Sequence, residues 1–272
     1  MTDIHPGEKR GRVLIVAGSD SGGGAGIQAD IKAVTALGGF AATAITALTA
    51  QNTKGVFGVQ GVEPGFIRQQ MLVVLEDIGA DAIKTGMLHD VATIEAVTGV
   101  LEHLEQPIVA DPVMVAQSGA RLLEDNAVEA LTARLLPLAA ILTPNIPEAE
   151  VLSGIQIEDE RGMQAAGEAL LALGPKAVLV KGGHRAGEEM VDLLVTPSGT
   201  RRFADPRIDT QETHGTGCTL ASAIATGLAQ GMAVEDAVAR ARRYLRAALM
   251  AAPGFGEGQG PVGHGVTVRP FD

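Results

Sequence analysis

Thr213-His214-Gly215-Thr216-Gly217-Cys218-Thr219 has the makings of an anion site. Glycines flank Thr216 where a helix should begin. The first amides of a helix have no acceptor within it, and the positive end of its dipole points the same way. Cys218 would lie in the first turn, a position that lowers a thiol pKa and favours the thiolate. A thiolate beside a bound phosphate can take a proton from a substrate hydroxyl. An isolated cysteine is more often a small buried hydrophobe, but the glycines around Thr216 favour the chemical reading.

Other segments carry weaker signals. SDSGGGAGIQAD (19–30) lets backbone amides approach a ligand, because glycine has no Cβ. It lacks the GxxxxGK[ST] and GxGxxG spacings, and taken alone a tight turn explains it equally well. Asn145-Ile146-Pro147-Glu148 reads as a capping box and also as a place where Glu148 orients Mg²⁺ beside phosphates. The spacing does not choose between these, and both can hold. Lys181 precedes two glycines and offers a cation to a moving phosphoryl group. Lys84-Thr85-Gly86 echoes a β-lactamase motif whose SxxK partner is missing. ARARRYLRAAL (239–249) reads as a solvated basic helix face.

The positioning elements follow from the apolar pattern. Strands are expected at 13–18, 40–48, 55–62, 81–86, 107–112, 139–145 and 176–183, with a hairpin of two strands around Pro197-Ser198-Gly199. Helices are expected at 25–37, 64–78, 90–104, 124–136, 215–231 and 233–251, and 146–173 is helix-rich. Alternation of this kind builds a mainly parallel sheet with helices on both faces. Asp20, Lys84, Asp111, Asn145 and Lys181 all fall just where a strand ends. In such a sheet those ends share one edge, where ligands bind.

Composition sets bounds. A net charge of -11 argues against a nucleic-acid partner. The lone cysteine fits a reducing compartment, and no stretch reads as a signal peptide or membrane span, so a cytoplasmic protein is expected. Residues 1–11 read as a loose tail and 12–272 as one domain.

The chain resembles the hydroxymethylpyrimidine and phosphomethylpyrimidine kinases of thiamin biosynthesis, within the ribokinase-like superfamily. The segments that carry the resemblance, in order, are AGSDSGGGAGIQAD, ITALTAQNT, IKTGML, DPVM, SGARLL, LTPNIPEAE, VLVKGGH, THGTGCTLASAIA and GPVGH. It implies a three-layer αβα sandwich with a mostly parallel sheet, ATP and Mg²⁺ as cofactors, and a homodimer. The implied reaction phosphorylates 4-amino-5-hydroxymethyl-2-methylpyrimidine to its monophosphate and then its diphosphate. Gln51 is similar to the glutamine that hydrogen-bonds the aminopyrimidine, with Asp30, Ala25, Thr49, Met87 and Val113 near the ring. Asn145, Lys181 and His214 fall at the ATP phosphates, and Glu148 with Asp111 at the metal. Gly215, Thr216 and Gly217 match an anion hole, and Cys218 stands where related sugar kinases carry an Asp base. Ser21-Gly22 and Gly263 depart from the pattern. A pyridoxal-type kinase and a non-catalytic pyrimidine-binding domain are the alternative readings.

Overall fold

The structure is a computed structural model and describes residues 10–115, 119, 122–123, 126–183 and 187–268. Most of the expected tail, His184 and part of SGARLL lie outside them. β1 (Arg12–Asp20) leads through α1 (Gly26–Ala36) to β2 (Phe40–Asn52) and β3 (Gly55–Gly61). α2 (Pro64–Asp77), β4 (Ala82–Thr85), α3 (Val91–Leu101) and β5 (Ile108–Ala110) follow. Next come α4 (Ala127–Ala130), β6 (Ile141–Leu142), α5 (Ile146–Ser153), α6 (Glu160–Leu171) and β7 (Val178–Lys181). The hairpin of β8 (Glu189–Thr196) and β9 (Gly199–Pro206) precedes α7 (Thr216–Ala229) and α8 (Val234–Met250).

Nine strands form one sheet in the order β3-β2-β1-β4-β5-β6-β7-β8-β9. β2, β1, β4, β5, β6 and β7 run parallel, and antiparallel pairings add β3 at one end and the hairpin at the other. Successive strand side chains face opposite ways. Leu14 and Val16 therefore join Ile67 and Met71 of α2 and Ile94 of α3 in one core. Val13 and Ile15 join Val34 of α1, Ile224 of α7 and Val238 of α8 in another. Two cores on either side of one sheet make the three αβα layers, and they explain why the parallel strands are apolar throughout.

Two elements differ from expectation. β2 runs on to Asn52, because its second half pairs with β3, so Thr49 and Gln51 ride on a strand. In the expected helix at 124–136, the described part is one α turn, then a wider turn over Leu131–Leu135 and a tight one over Leu136–Leu138. Pro137 has no amide to continue the helix. Among the described residues no helix is long and apolar enough to cross a membrane.

β1 pairs with β2 on one side and β4 on the other. The connections leaving β1 and β4 thus diverge, which opens a crevice beyond their carboxyl ends.

Candidate active site

That crevice is a cavity of about 320 Å³. α7 begins at its wall. Gly215 precedes the helix with φ 77° and contributes no side-chain cap; the Thr216 amide donates to the Thr213 carbonyl at 3.3 Å, and those of Gly217 and Cys218 are left for another acceptor. A Cβ on Gly215 would stand 1.8 Å from the Gly24 carbonyl oxygen. Only glycine allows this approach, and it locks the helix mouth against the loop after β1.

Asp20, at the end of β1, organises that loop. Its carboxylate accepts the amides of Gly22, Gly24 and Ala25 at 2.7, 3.0 and 2.8 Å, and Nε2 of His214 lies 2.8 Å away. Burial works to raise the Asp20 pKa, but His214 and the amides outweigh it and leave it lowered. His214 Nε2 also lies 3.2 Å from the Gln51 amide. His214 was expected beside phosphates, yet its hydrogen bonds run to Asp20 and β2. Thr49 donates to the Ser19 carbonyl at 2.9 Å. Ala25, Thr49, Gln51, Met87 and Val113 line the cavity, together with Cys218.

Asp30 does not join them. It has no exposed surface and lies beneath the cavity, 2.9 Å from Lys84 Nζ, with the Ser222 hydroxyl donating to its other oxygen at 2.7 Å. Burial opposes the Lys84 charge, but Asp30 outweighs it, aided by Cys218 and Asp111, so the ammonium is held above its ordinary pKa. Burial pushes Asp30 up against the pull of Lys84. The two trends oppose, and the ion pair is the form that accounts for Ser222 donating to a carboxylate.

Cys218 stands in the first turn of α7 and on the cavity wall, as expected, but its acidity differs. Burial pushes the thiol up to about 11. Lys84 pulls it down, the Asp30 and Asp111 carboxylates push it up, and the Gly26 amide pulls it down by hydrogen bonding. The thiol therefore rests protonated at neutral pH. Desolvation and two carboxylates outweigh the helix terminus, and neither is visible in the local sequence.

The cavity is also lined by Asp111, Asn145, Glu148 and Lys181. Lys181 Nζ is 3.0 Å from Asp111 Oδ1, which also accepts the Thr143 hydroxyl at 3.1 Å. Asn145 and Glu148 form the full capping box, with both reciprocal hydrogen bonds at 2.9 Å. Burial raises the Glu148 pKa to about 7, Lys181 lowers it, and the like charge of Asp111 raises it. Among the described residues no group of three or more His, Cys, Asp or Glu is arranged to hold a metal. Two carboxylates are nonetheless what a nucleotide-borne Mg²⁺ needs, because that ion keeps several waters and takes the rest of its shell from phosphates.

Sequence reasoning passed over several groups. Lys84 was placed at the ligand-binding edge of the sheet but given no role. Arg242, expected on a solvated face, is buried and bonded to Asp192, and its Nη2 meets Asp205 at 2.6 Å. Asp192 in turn accepts the Gly182 amide at 2.8 Å, which fixes the turn after Lys181. The signal was present: Asp192 is a charge inside the apolar run of β8.

The profile of the phosphomethylpyrimidine kinase family matches residues 20–263. A hydroxymethylpyrimidine/phosphomethylpyrimidine kinase of Streptomyces coelicolor is 47% identical over 253 residues, which cover 93% of this chain and 94% of that protein. The thiamine biosynthesis bifunctional protein ThiED of Geobacter sulfurreducens is 53% identical over 94% of this chain, but this chain spans only 52% of that protein's length. Among solved structures, a phosphomethylpyrimidine kinase from Clostridium difficile 630 matches with a TM-score of 0.78 at 44% identity, covering 86% of this chain and 97% of that one. Bacillus subtilis pyridoxal kinase, solved as an ADP complex, matches with a TM-score of 0.88 at 34% identity, covering 94% and 98%. The fold is thus the ribokinase-like αβα sandwich, and the chain belongs to the phosphomethylpyrimidine kinase family.

Proposed function

We propose that this chain transfers the γ-phosphoryl group of ATP to the hydroxymethyl oxygen of 4-amino-5-hydroxymethyl-2-methylpyrimidine, and then phosphorylates the monophosphate to the diphosphate. One observation carries the reading. The start of α7, with Cys218 in its first turn, opens on a cavity lined by Thr49 and Gln51 of β2 and Met87 after β4, and by Asp111 after β5, Glu148 of α5 and Lys181 of β7 further along the sheet. The first group suits a flat heterocycle, and the second suits a polyphosphate.

In this reading the ring lies by Gln51 with its hydroxymethyl group toward Cys218. The amides of Gly217 and Cys218, with Lys181, stabilise charge on the moving phosphoryl group. Asp111 and Glu148 would hold Mg²⁺, directly or through water, and the ion when bound supplies charge neutralisation on the phosphates. Lys84, whose charge lowers the Cys218 pKa, is the cation that favours the thiolate, the only form of the sulfur that can take the hydroxyl proton. A thiol that rests protonated leaves most of the work to positioning and electrostatics, as a loose phosphoryl-transfer state allows. The reading places the protein in the cytoplasm as a homodimer, whose mass light scattering would measure.

Product masses after incubation with ATP, Mg²⁺ and the free pyrimidine test the proposal. The expected series gains one phosphoryl group and then a second. No gain on the pyrimidine, with turnover of pyridoxal instead, would replace this reading with that of a pyridoxal kinase. Cys218→Ala should lower turnover about 10²- to 10⁴-fold while pyrimidine binding changes little. Near-normal turnover would remove the sulfur from proton transfer.

A further inference from the structure

The contact between His214 and Gln51 has a chemical consequence. His214 Nε2 is 2.8 Å from Asp20 Oδ2. The Asp20 carboxylate takes three loop amides as well. Its lowered pKa agrees with an ionised group that only accepts. Nε2 must therefore carry the hydrogen, whatever the charge of the ring. The Gln51 group 3.2 Å from the same nitrogen is its amide Nε2, which is also a donor. Two donors cannot share that contact. The oxygen and nitrogen of an amide have nearly the same shape, so the surrounding hydrogen bonds decide which way it is turned. Here they require the Gln51 carbonyl toward His214, sharing with Asp20 the one Nε2–H, and its NH₂ turned away.

We propose that Asp20 and His214 are positioning residues that lock the Gln51 amide in this one orientation, and so make the cavity choose a 4-aminopyrimidine over its 4-oxo counterpart. The proposal rests on the aminopyrimidine reading above. Gln51 rides on β2 and lines the cavity. With its carbonyl fixed by His214, the amide offers its carbonyl and N–H to a ligand in a fixed order. An aminopyrimidine presents the matching order, an N–H of the amino group beside a bare ring nitrogen. The 4-oxo analogue presents the reverse, a carbonyl beside a ring N–H, so each group meets its like. Were the amide free to turn over, the analogue would fit equally well. The lock is built from three segments distant in sequence. Asp20 ends β1, Gln51 is the penultimate residue of β2, and His214 precedes α7, where its own amide donates to the Gly260 carbonyl at 3.0 Å. Gly24 gives His214 room, since a Cβ there would come within 2.4 Å of its ring.

The test compares kcat/KM for 4-amino-5-hydroxymethyl-2-methylpyrimidine and its 4-oxo analogue. Wild type should prefer the amino compound by about 100-fold or more, the cost of mispairing buried hydrogen-bonding groups. His214→Phe, which keeps the ring volume and leaves Asp20 its three amides, should cut that preference about tenfold or more with KM for ATP unchanged. An unchanged preference in this variant overturns the proposal. So does a raised KM for ATP with the preference intact, which would place His214 at the phosphates. Nitrogen-15 spectra of histidine-labelled wild-type protein supply a check that needs no variant. They should show the proton on Nε2 of His214, and an Nδ1–H tautomer would overturn the assignment. A wild-type enzyme that phosphorylates neither pyrimidine removes the functional reading and this one together. A selective wild type with an equally selective His214→Phe removes this one alone.

Discussion

Two lysine–aspartate pairs stand at the carboxyl ends of the sheet, alike in length and unlike in setting. Lys84 meets Asp30 at 2.9 Å with both side chains 0% exposed, while Lys181 meets Asp111 at 3.0 Å with 14% and 3% exposed. The sealed pair has a further donor in Ser222, and it borders Cys218 from below. The open pair faces the cavity beside Glu148. A pair sealed in the core cannot exchange partners, so it holds a fixed charge pattern under the site. A pair at the lip can release its lysine to an incoming anion. Geometry alone makes them look equivalent, and burial separates them.

The largest effect should come from the sealed pair. Lys84→Met leaves Asp30 in the core without its partner, either as an unpaired charge or driven to take up a proton, which should cost about 3–5 kcal/mol in denaturant unfolding. Adding Asp30→Leu should recover most of that, because an apolar pair of similar volume removes the stranded charge. Failure of the double variant to recover would mean that the pair supports the fold through more than mutual neutralisation. The open pair should behave in the opposite way. Lys181→Met should cost less, about 1–3 kcal/mol, because this pair keeps some exposure to the cavity, whereas turnover should fall about 10²- to 10³-fold through lost phosphoryl stabilisation. Equal stability losses at Lys84 and Lys181 would erase the distinction.

Glu148 sharpens the comparison through pH. Its pKa rises from the ordinary 4.5 to about 7, from burial and Asp111, against the pull of Lys181. The folded state thus binds this proton more readily than the unfolded state. The resulting stability is fully present below about 4.5 and is lost as pH climbs through about 7. Glu148→Gln should flatten the stability profile between those limits in urea titrations. Lys181→Met should steepen it, since Glu148 then loses the cation that favours its charge. A profile indifferent to both variants would place Glu148 in an ordinary environment.

Much of this was legible in the residues. The parallel core was readable because its strands are covered on both faces and run apolar without alternation. The shared edge followed from polar residues placed just where those runs stop. Asp30 also left a trace. It sits three residues beyond Ile27 and four before Val34, on the face of α1 that turns inward, and a charge there calls for a partner. Lys84 is its complement, a cation inside an apolar strand, but fifty-four positions separate the two and only the folded sheet joins them. Cys218 shows the reverse. Its place on the helix was readable, but its acidity depends on Asp30, Asp111 and Lys84, which come from three other elements. A local motif can place a group, but its charge state belongs to the neighbours that the fold supplies.

The smallest expected effect lies one residue from Lys84. Thr85 turns the other way on β4, to the face it shares with Ile83 and the apolar core under α2 and α3. It is fully buried, and its hydroxyl has no hydrogen-bond partner among the described residues. Lys84 shows a polar group whose burial is answered, and Thr85 one whose burial is not. Thr85→Val keeps the shape and removes the unanswered oxygen, so it should stabilise the protein by about 1 kcal/mol, read as a higher urea midpoint at constant slope. The adjacent substitution Lys84→Met also replaces a polar group by an apolar one, yet it should destabilise several-fold more. The opposite signs on neighbouring positions of one strand follow from a single difference, whether a partner is left behind. A loss of stability in Thr85→Val would mean that this hydroxyl does bond within the fold, and the contrast on β4 would then rest on Lys84 alone.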